Sequence, residues 1–219
     1  MSLTPAQAVA RLLLEIEAVH IRPQQPFTFT SGTLSPVYVD CRKIIGFPRA
    51  RKAVIDFAVQ KISEGIGYER IDAVAGGETA GIPYAAWIAD RLGLPMLYVR
   101  KKPKGFGRNA QIEGSFKDGD RVLLVEDLAS QGGSKVTFIN ALRDAGAQCD
   151  HTLVVFFYAA FGGGLKVLDD LGVTLHYLST WKEVLEVADI DKRTSAADMV
   201  EVRSFLADPD AWSKAHGGP

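Results

Sequence analysis

The part of the chain that most constrains its fold is residues 121–134, which read RVLLVEDLASQGGS. The apolar run at 122–125 is typical of a short buried strand. Two carboxylates, Glu126 and Asp127, follow where that strand is expected to end. A small polar loop comes next, and the pattern then predicts a helix over about 135–145. A buried strand, a pair of acids, a loop and a helix start therefore follow one another within a short stretch of chain.

This order of elements is suited to binding a sugar phosphate. Loop amides and the N-terminus of a helix, which carries a charge of roughly +0.5, can hold a phosphate group. Two carboxylates beside them can accept hydrogen bonds from sugar hydroxyls. The alternative interpretation of the same stretch is an acidic strand end followed by an ordinary turn.

The rest of the chain continues the alternation of strands and helices. Strands are predicted at 72–76, 96–99, 152–157 and 173–178, and helices at 48–64, 82–92 and 165–171. Such alternation indicates an α/β fold whose mostly parallel sheet is flanked by helices. A first helix capped by Thr4, two short strands at 27–32 and 36–40 around a glycine turn, and a helical tail at about 194–215 are expected outside that sheet.

Composition limits the class of protein. A chain of 219 residues with 47% hydrophobic and 23% charged residues is ordinary for a soluble globular protein. The formal net charge of −1 argues against a general nucleic-acid binder. No segment approaches the roughly 20 apolar residues that span a membrane, and Cys41 and Cys149 show neither metal-ligand nor disulfide-framework spacing. We therefore expect a cytoplasmic protein with no nucleic-acid and no membrane partner.

Three polar loops follow predicted strands, at 76–81, 100–114 and 127–134. Because ligands bind beyond the C-terminal ends of parallel strands, these loops are expected to build one site at one edge of the sheet. Glycines at 76, 77 and 81 let the backbone of the first loop approach an anion closely. Amides in that loop could hold a second phosphate group.

The second of these loops, RKKPKGFGRNAQIEG at 100–114, is rich in cations. Five of them fall within nine residues, and the proline and glycines between them make a regular helix or strand unfavourable. One interpretation is a solvated charged loop. The other is a lid that closes over a polyanion and stabilises negative charge on a leaving group. A monophosphate, sugar hydroxyls and a diphosphate under a cationic lid together match 5-phosphoribosyl 1-pyrophosphate (PRPP).

At these motifs the sequence resembles a known family. Residues 122–134 are similar to the PRPP-binding signature of the type I phosphoribosyltransferases. The segment FTFTSGTLSP at 27–36, together with the segment at 100–114, narrows the resemblance to the orotate phosphoribosyltransferases. The resemblance implies a single phosphoribosyltransferase domain over 1–219. Its parts are an N-terminal helix and small hood over about 1–45, a PRPP-binding core over 46–180 and a helical tail over 181–219.

The resemblance also implies an activity. Such enzymes join orotate to PRPP, with magnesium bound to the PRPP, and yield orotidine 5′-monophosphate and pyrophosphate in de novo pyrimidine synthesis. Displacement at the anomeric carbon passes through an oxocarbenium-like state. Catalysis then depends on positioning and on stabilising the pyrophosphate more than on a covalent nucleophile. In this family the lid reaches into the neighbouring subunit's site, which implies a homodimer with a shared active site.

By the same resemblance each motif receives a role. Glu126 and Asp127 hold the ribose hydroxyls, and Asp127, Lys101 and Lys104 are the catalytic residues. The implied PRPP-binding residues are Gly77, Thr79, Ala80, Arg100, Lys101, Lys104, Glu126, Asp127, Leu128, Ala129, Ser130, Gln131, Gly132, Gly133 and Ser134. The implied orotate-binding residues are Tyr38, Val39 and Ser130. No side chain is assigned to magnesium directly.

Four positions depart from the family pattern. Thr30 and Ala80 stand where members commonly have lysine, and Phe106 stands where many have a histidine in the lid. The segment YAAFG after the strand at 152–157 lacks the arginine that often grips the orotate carboxylate. Losing such a partner is not neutral for a carboxylate ligand, because a bidentate arginine pair is both strong and specific.

The base is the part of the substrate that the sequence leaves open. Arg42 or Lys43 could replace the missing arginine. Another pyrimidine or a purine is an alternative acceptor. A different class is a PRPP-sensing regulator without turnover. Such regulators need a nucleic-acid-binding surface, and the near-neutral charge and cation-rich lid favour an enzyme.

Overall fold

A computed structural model describes residues 3–29, 31–105, 111–130, 133–161, 163–191 and 194–219. The described helices are α1 (Pro5–Glu15), α2 (Pro48–Gly65), α3 (Gly81–Leu92), α4 (Gly133–Asp144), α5 (Gly163–Asp170), α6 (Trp181–Asp191), α7 (Ala196–Ala207) and α8 (Pro209–Ala215), with short 3₁₀ helices at Cys41–Gly46 and Tyr68–Arg70. The described strands are β1 (Val19–Ile21), β2 (Phe27–Thr28), β3 (Leu34–Ser35), β4 (Val37–Val39), β5 (Ala73–Gly77), β6 (Met96–Val99), β7 (Ile112–Glu113), β8 (Arg121–Ala129), β9 (Gln148–Phe157) and β10 (Thr174–Thr180).

Six of the described strands form the central sheet, in the order β10-β9-β8-β5-β6-β7. The first five run parallel, and β7 pairs antiparallel at one edge. Helices connect the parallel strands: α3 joins β5 to β6, α4 joins β8 to β9, and α5 joins β9 to β10. This arrangement confirms the predicted α/β fold with a mostly parallel sheet. It also places β8, the strand of the opening motif, between two neighbours.

Alternate residues of β8 pack into two cores on opposite faces of the sheet. Leu123 and Val125 belong to a core that includes Tyr84 of α3, whereas Leu124 belongs to a core that includes Phe138 of α4. All five side chains are buried. Helices therefore cover both faces, which explains why the strand reads as a continuous apolar run rather than an alternating one.

Two details of the predicted strands are wrong. The strands at 27–32 and 36–40 do not pair with each other, because β2 pairs with β3 and β4 pairs with β1. The segment β1 was not predicted, and it supplies the apolar partner that β4 needs. In addition, β8 continues through the acid pair to Ala129, since β9 runs alongside it as far as Phe157 and keeps its backbone hydrogen-bonded.

The helical tail packs against the N-terminal hood of the same chain. Trp212 of α8 is 4% exposed and contacts Phe205 of α7 edge-on, with 5.7 Å between ring centroids. The hydroxyl of Ser213 accepts a hydrogen bond from the Leu34 amide of β3 at 2.9 Å, so the tail braces the N-terminal hood. Within the described ranges, no helix is both long enough and apolar enough to cross a membrane.

Candidate active site

The carboxyl end of β8 carries the two predicted acids. Glu126 lies beside Val154 of β9, and Val125 before it lies beside Gly76 of β5. Glu126 is only 8% exposed, and its Oε1 has no hydrogen-bond partner among the described residues. A buried carboxylate oxygen without a donor is costly in a folded protein. A donor supplied by a ligand, such as a hydroxyl, is therefore chemically suited to this position.

Three glycines, two at the end of β5 and one at the start of α3, make room for the Glu126 carboxyl group. A Cβ on Gly77 would overlap Glu126 Oε1 and would come within 2.6 Å of Phe138 Cε2. A Cβ on Gly81 would come within 2.8 Å of the same glutamate oxygen. A Cβ on Gly76 would lie 2.7 Å from the Gly81 carbonyl oxygen. The segment at 76–81, which the sequence predicts as an anion site, therefore also leaves the space that the Glu126 carboxyl group occupies.

Burial raises the pKa of both acids. The pKa of Glu126 rises to about 8, with Lys135 opposing the rise, Asp127 adding to it and Lys101 opposing it more weakly. Burial also raises the pKa of Asp127, and Lys135, backbone amides and Arg42 oppose that rise. Burial therefore favours the protonated form of Glu126 more than it would for an exposed glutamate. Acids with perturbed pKa values that lie together at the edge of a sheet are typical of a functional site.

Sequence reasoning missed Lys135, which lies in the first turn of α4 and is 2% exposed. Its Nζ donates a hydrogen bond of 2.7 Å to the Leu128 carbonyl. Burial lowers the pKa of Lys135, whereas Glu126 and Asp127 raise it. A lysine in the first helical turn opposes the helix dipole, and this unfavourable placement is the sequence signal that could have identified it.

The segment at 76–81, which we call the glycine loop, is hydrogen-bonded to the start of the lid. The Glu78 amide donates to the Val99 carbonyl at 2.9 Å, and the Glu78 carboxylate accepts a hydrogen bond from the Lys101 amide at 2.7 Å. The peptide between Glu78 and Thr79 is cis. Because β5 and β6 are parallel neighbours, their C-terminal loops lie side by side, as the sequence predicted.

Contacts of Arg100 join the beginning of the lid to its end. The Arg100 amide donates to the Gln111 carbonyl at 2.7 Å, and the Arg100 guanidinium lies 3.5 Å from the Glu113 carboxylate. Lys101 and Lys104 are exposed. The two ends of the lid are thus held together at β6 and β7, while the charged groups of its lysines face solvent in the single chain.

The hood and the end of β9 form the side of the site that is expected to face the base. The Val39 amide donates to the Tyr158 hydroxyl at 3.3 Å, and Tyr158 is 4% exposed. Tyr38 packs against Phe27 with 5.5 Å between ring centroids. Tyr158 therefore occupies the segment in which the sequence lacks an arginine, and it joins that segment to β4.

The structure separates the two cations that could replace this arginine. Arg42 donates through Nη2 to the Tyr38 hydroxyl at 3.0 Å and through Nε to the Asp40 carboxylate at 2.7 Å. The 3₁₀ helix that carries Arg42 packs against β8, and the Arg42 charge opposes the burial-driven rise in the pKa of Asp127. Lys43 instead donates to the Glu17 carbonyl at 2.9 Å and faces the end of α1. Only Arg42 of these two is directed toward the site.

Comparison with known proteins identifies the family. The chain matches the model of a phosphoribosyl transferase domain over residues 46–191. An orotate phosphoribosyltransferase of Cereibacter sphaeroides is 54% identical over 210 residues, which cover 96% of this chain and 90% of that protein. The chain belongs to the orotate phosphoribosyltransferase family.

Solved structures of the family share the architecture. A crystal structure of orotate phosphoribosyltransferase from Aeropyrum pernix is 32% identical, with a TM-score of 0.68, and the match covers 81% of this chain and 97% of that one. The structure of Leishmania donovani UMP synthase is 27% identical, with a TM-score of 0.78 and 93% of this chain covered. This chain spans 42% of that protein's chain. The fold is therefore the type I phosphoribosyltransferase fold that the sequence resemblance implied.

The family motifs converge at one edge of the sheet. Thr79 and Ala80 follow β5, Arg100 and Lys101 follow β6, and Ser130 follows β8, all at the C-terminal ends of parallel strands. Gly133 and Ser134 open α4. Four residues that the resemblance singles out lie outside the described residues: Thr30, Phe106, Gln131 and Gly132.

Proposed function

We propose that this protein transfers the 5-phosphoribosyl group of PRPP to orotate and releases orotidine 5′-monophosphate and pyrophosphate, as a step of pyrimidine biosynthesis. The observation that carries the proposal is the acid pair at the end of β8, the buried Glu126 and the partly buried Asp127, between the glycine loop and the start of α4. Membership of the orotate phosphoribosyltransferase family supports orotate as the acceptor.

The acid pair is assigned to the ribose. Oε1 of Glu126, which has no donor among the described residues, can accept a hydrogen bond from one ribose hydroxyl, and Asp127 can accept one from the other. As the bond from the anomeric carbon to pyrophosphate breaks, positive charge develops on the ribose. Ionised carboxylates beside it lower the barrier. The base nitrogen, whose proton is lost to solvent, then bonds to that carbon, and pyrophosphate leaves with the electron pair of the broken bond.

The phosphates are assigned to the surrounding loops. Backbone amides of residues 129–134 and the N-terminus of α4 are proposed to bind the 5′-phosphate. The segment 77–80 is proposed to lie along the pyrophosphate, and Arg100, Lys101 and Lys104 to neutralise its oxygens. Cationic side chains on a lid suit this role because they can exclude water when the lid closes over the substrate.

Magnesium is proposed to enter the site bound to PRPP. The part of the chain that the structure describes has no group of three or more histidine, cysteine, aspartate or glutamate side chains that could hold a metal ion. Magnesium commonly takes much of its coordination from substrate phosphates, and the site offers the amides and lysines that would bind such phosphates. When bound, the ion would neutralise charge on the pyrophosphate.

Lys104→Ala is expected to lower kcat by at least tenfold, about 1.4 kcal/mol of barrier. The exposed ammonium group is proposed to contact the departing pyrophosphate, whose charge grows as the bond breaks. Steady-state rates at saturating PRPP and orotate measure the effect. Lys117→Ala, at another exposed lysine outside the lid, serves as the matched control. Equal rates for the Lys104 variant and the unmodified protein would remove Lys104 from the catalytic group.

Arg42→Met is expected to raise the KM for orotate by about tenfold or more, because a charged hydrogen bond to the base carboxylate is lost. Arg42 is proposed to bind this carboxylate in place of the missing family arginine, since it is directed toward Tyr38 and the acid pair. The matched control is Lys43→Met, whose ammonium group faces the end of α1. A KM change in the lysine variant alone would contradict the assignment.

We also propose a homodimer with a shared active site. Lys101 and Lys104 are exposed in the single chain and are available to a second subunit. Light scattering is expected to give twice the mass of one chain. Mixing Lys104→Ala with Asp127→Asn subunits is then expected to restore part of the activity, because mixed dimers contain one intact site.

A cytoplasmic location is proposed on the state of the cysteines. Cys41 and Cys149 are buried free thiols in the structure. Free thiols are typical of proteins that work in a reducing compartment.

The acceptor base is tested with a panel. The purified protein is incubated with PRPP and magnesium and, separately, with orotate, uracil, adenine or hypoxanthine, and products are separated by chromatography. A nucleotide is expected only from orotate. A nucleotide from another base alone would replace orotate while keeping the chemistry, and PRPP binding without any product would favour a PRPP-sensing regulator.

A further inference from the structure

Lys135 occupies an unusual position for a lysine. It lies in the first turn of α4 and is 2% exposed. Its Nζ donates a 2.7 Å hydrogen bond to the carbonyl of Leu128, which lies near the end of β8, just before the proposed phosphate-binding segment 129–134. A buried ammonium group is retained only where neighbouring charge and hydrogen bonds offset the loss of water. The groups around Lys135 must therefore supply that compensation.

The neighbouring charges are the two acids of the ribose site. Glu126 and Asp127 are the charged groups that raise the pKa of Lys135, and Lys135 is the largest influence opposing the burial-driven rise in the pKa of each acid. Lys101 of the lid is the only other cation whose charge lowers the pKa of Glu126 among the described residues. Lys101 is exposed, and its charge is therefore screened by water.

Asp127 has additional neighbours from other elements. Arg42, in the 3₁₀ helix after β4, lowers its pKa. The Cys41 thiol and the Tyr84 hydroxyl of α3 also face it, and burial raises the pKa of both groups, so neither carries charge near neutral pH. Because Arg42 is more than half exposed while Lys135 is buried, Lys135 supplies the least screened positive charge near the pair.

We propose that Lys135 is a positioning residue of the ribose site: its buried ammonium group ties the end of β8 to α4 and supplies the positive charge that lets Glu126 and Asp127 be ionised side by side. This inference rests on the proposed function, because that function assigns the acid pair to the ribose. Lys135 itself does not touch the substrate, since its Nζ is buried against the Leu128 carbonyl.

The consequence is a specific pH dependence. A buried opposite charge nearby lowers the pKa of an acid by about 1–3 units. Without Lys135, the pKa values of Glu126 and Asp127 rise further, so the ionised pair forms only at higher pH. The loss of activity is then largest near pH 7 and smaller near pH 9. A purely structural role of the lysine would instead lower activity by the same factor at every pH.

Three variants separate the charge from the hydrogen bond. Lys135→Gln removes the charge but keeps an N–H donor for Leu128, Lys135→Met removes both, and Lys135→Arg keeps both. Lys166→Met is the matched control, because that exposed lysine of α5 pairs with Asp170 at 3.0 Å away from the site. Thermal denaturation identifies which variants are folded. One folded uncharged variant together with Lys135→Arg is sufficient for the test.

Two readouts are measured from pH 6 to 9. The first is kcat/KM for PRPP. The ionisation of PRPP itself is the same in every experiment, so it does not contribute to a difference between variants. The second is the PRPP dissociation constant from titration calorimetry without orotate. Each profile has an acid limb, which is the low-pH range over which kcat/KM and the affinity for PRPP decline. The uncharged variants are expected to shift this limb upward by about 1 pH unit or more, which is a tenfold loss within it. Lys135→Arg and Lys166→Met are expected to leave the limb in place.

Different results would contradict the role of Lys135 and the proposed function. If the unmodified protein binds PRPP without converting orotate, the proposed function fails, and the binding profile still tests Lys135. An unshifted limb in a folded uncharged variant, or an equal shift in Lys135→Arg, would overturn the role of the charge. Failure of the unmodified protein to bind PRPP would overturn both.

Discussion

Replacing Gly77 with alanine is expected to lower kcat/KM for PRPP by at least about a hundredfold, because displacing a catalytic group by about 1 Å is enough for such a loss. The added Cβ would overlap Glu126 Oε1 and lie 2.6 Å from Phe138 Cε2. Phe138 is a buried core residue and cannot give way, so the Glu126 carboxyl group or the glycine loop must move. Either movement separates two parts of the PRPP site.

The control for this prediction is Gly46→Ala. A Cβ at Gly46 meets no atom within 4 Å, and the position is at the end of the 3₁₀ helix after β4. The two variants therefore make the same chemical change in crowded and in open surroundings. Steady-state kinetics with thermal denaturation compare them. Similar kcat/KM values for a folded Gly77 variant and for the control would show that the close approach of Gly77 and Glu126 does not matter to the reaction.

Asp127→Asn is expected to reduce kcat by about 10²–10³-fold, the range found when a preorganised electrostatic group is removed from an active site. Asparagine keeps the shape and one acceptor of the side chain but removes the negative charge that favours the cationic ribose. The loss is therefore expected mainly in kcat, with a smaller change in the KM for PRPP. Asp169→Asn, at an exposed position of α5, is the matched control.

Glu126→Gln is expected to behave differently with pH. Since burial raises the pKa of Glu126 to about 8, this acid is expected to gain its negative charge as the pH rises through that value. The difference in kcat/KM between the unmodified protein and the glutamine variant should therefore widen as the pH rises through 8. A constant ratio from pH 6 to 9 would mean that the ionisation of Glu126 does not control the reaction.

The sequence was sufficient to predict the parallel sheet and the edge at which the loops meet. The apolar run before Glu126 is typical of a short buried strand, and helices were expected to alternate with such strands. Parallel strands bring their C-terminal loops together without any further information. The positions of the acids, the glycines and the lid followed from this one rule.

Side-chain pairings were beyond the sequence because they depend on contacts between distant segments. The pairing of β4 with β1 depends on where the chain turns after α1, and both candidate partners of β4 are only two or three residues long. Arg42 and Lys43 are adjacent, and only the register of the 3₁₀ helix decides which of them faces Tyr38. The burial of Lys135 depends on how α4 packs against the end of β8. Its place in the first helical turn, which is unfavourable for a cation, was the one sign of this in the sequence.

The most direct test of the central assignment follows orotate itself. Purified protein, PRPP and magnesium are mixed with orotate, and the ultraviolet absorbance of orotate is recorded while pyrophosphate is measured in the same sample. We predict that orotate is lost, that one pyrophosphate is released for each orotate consumed, and that Asp127→Asn slows both together. Orotate that remains unconsumed in the presence of PRPP and magnesium, with the protein folded, would contradict the account.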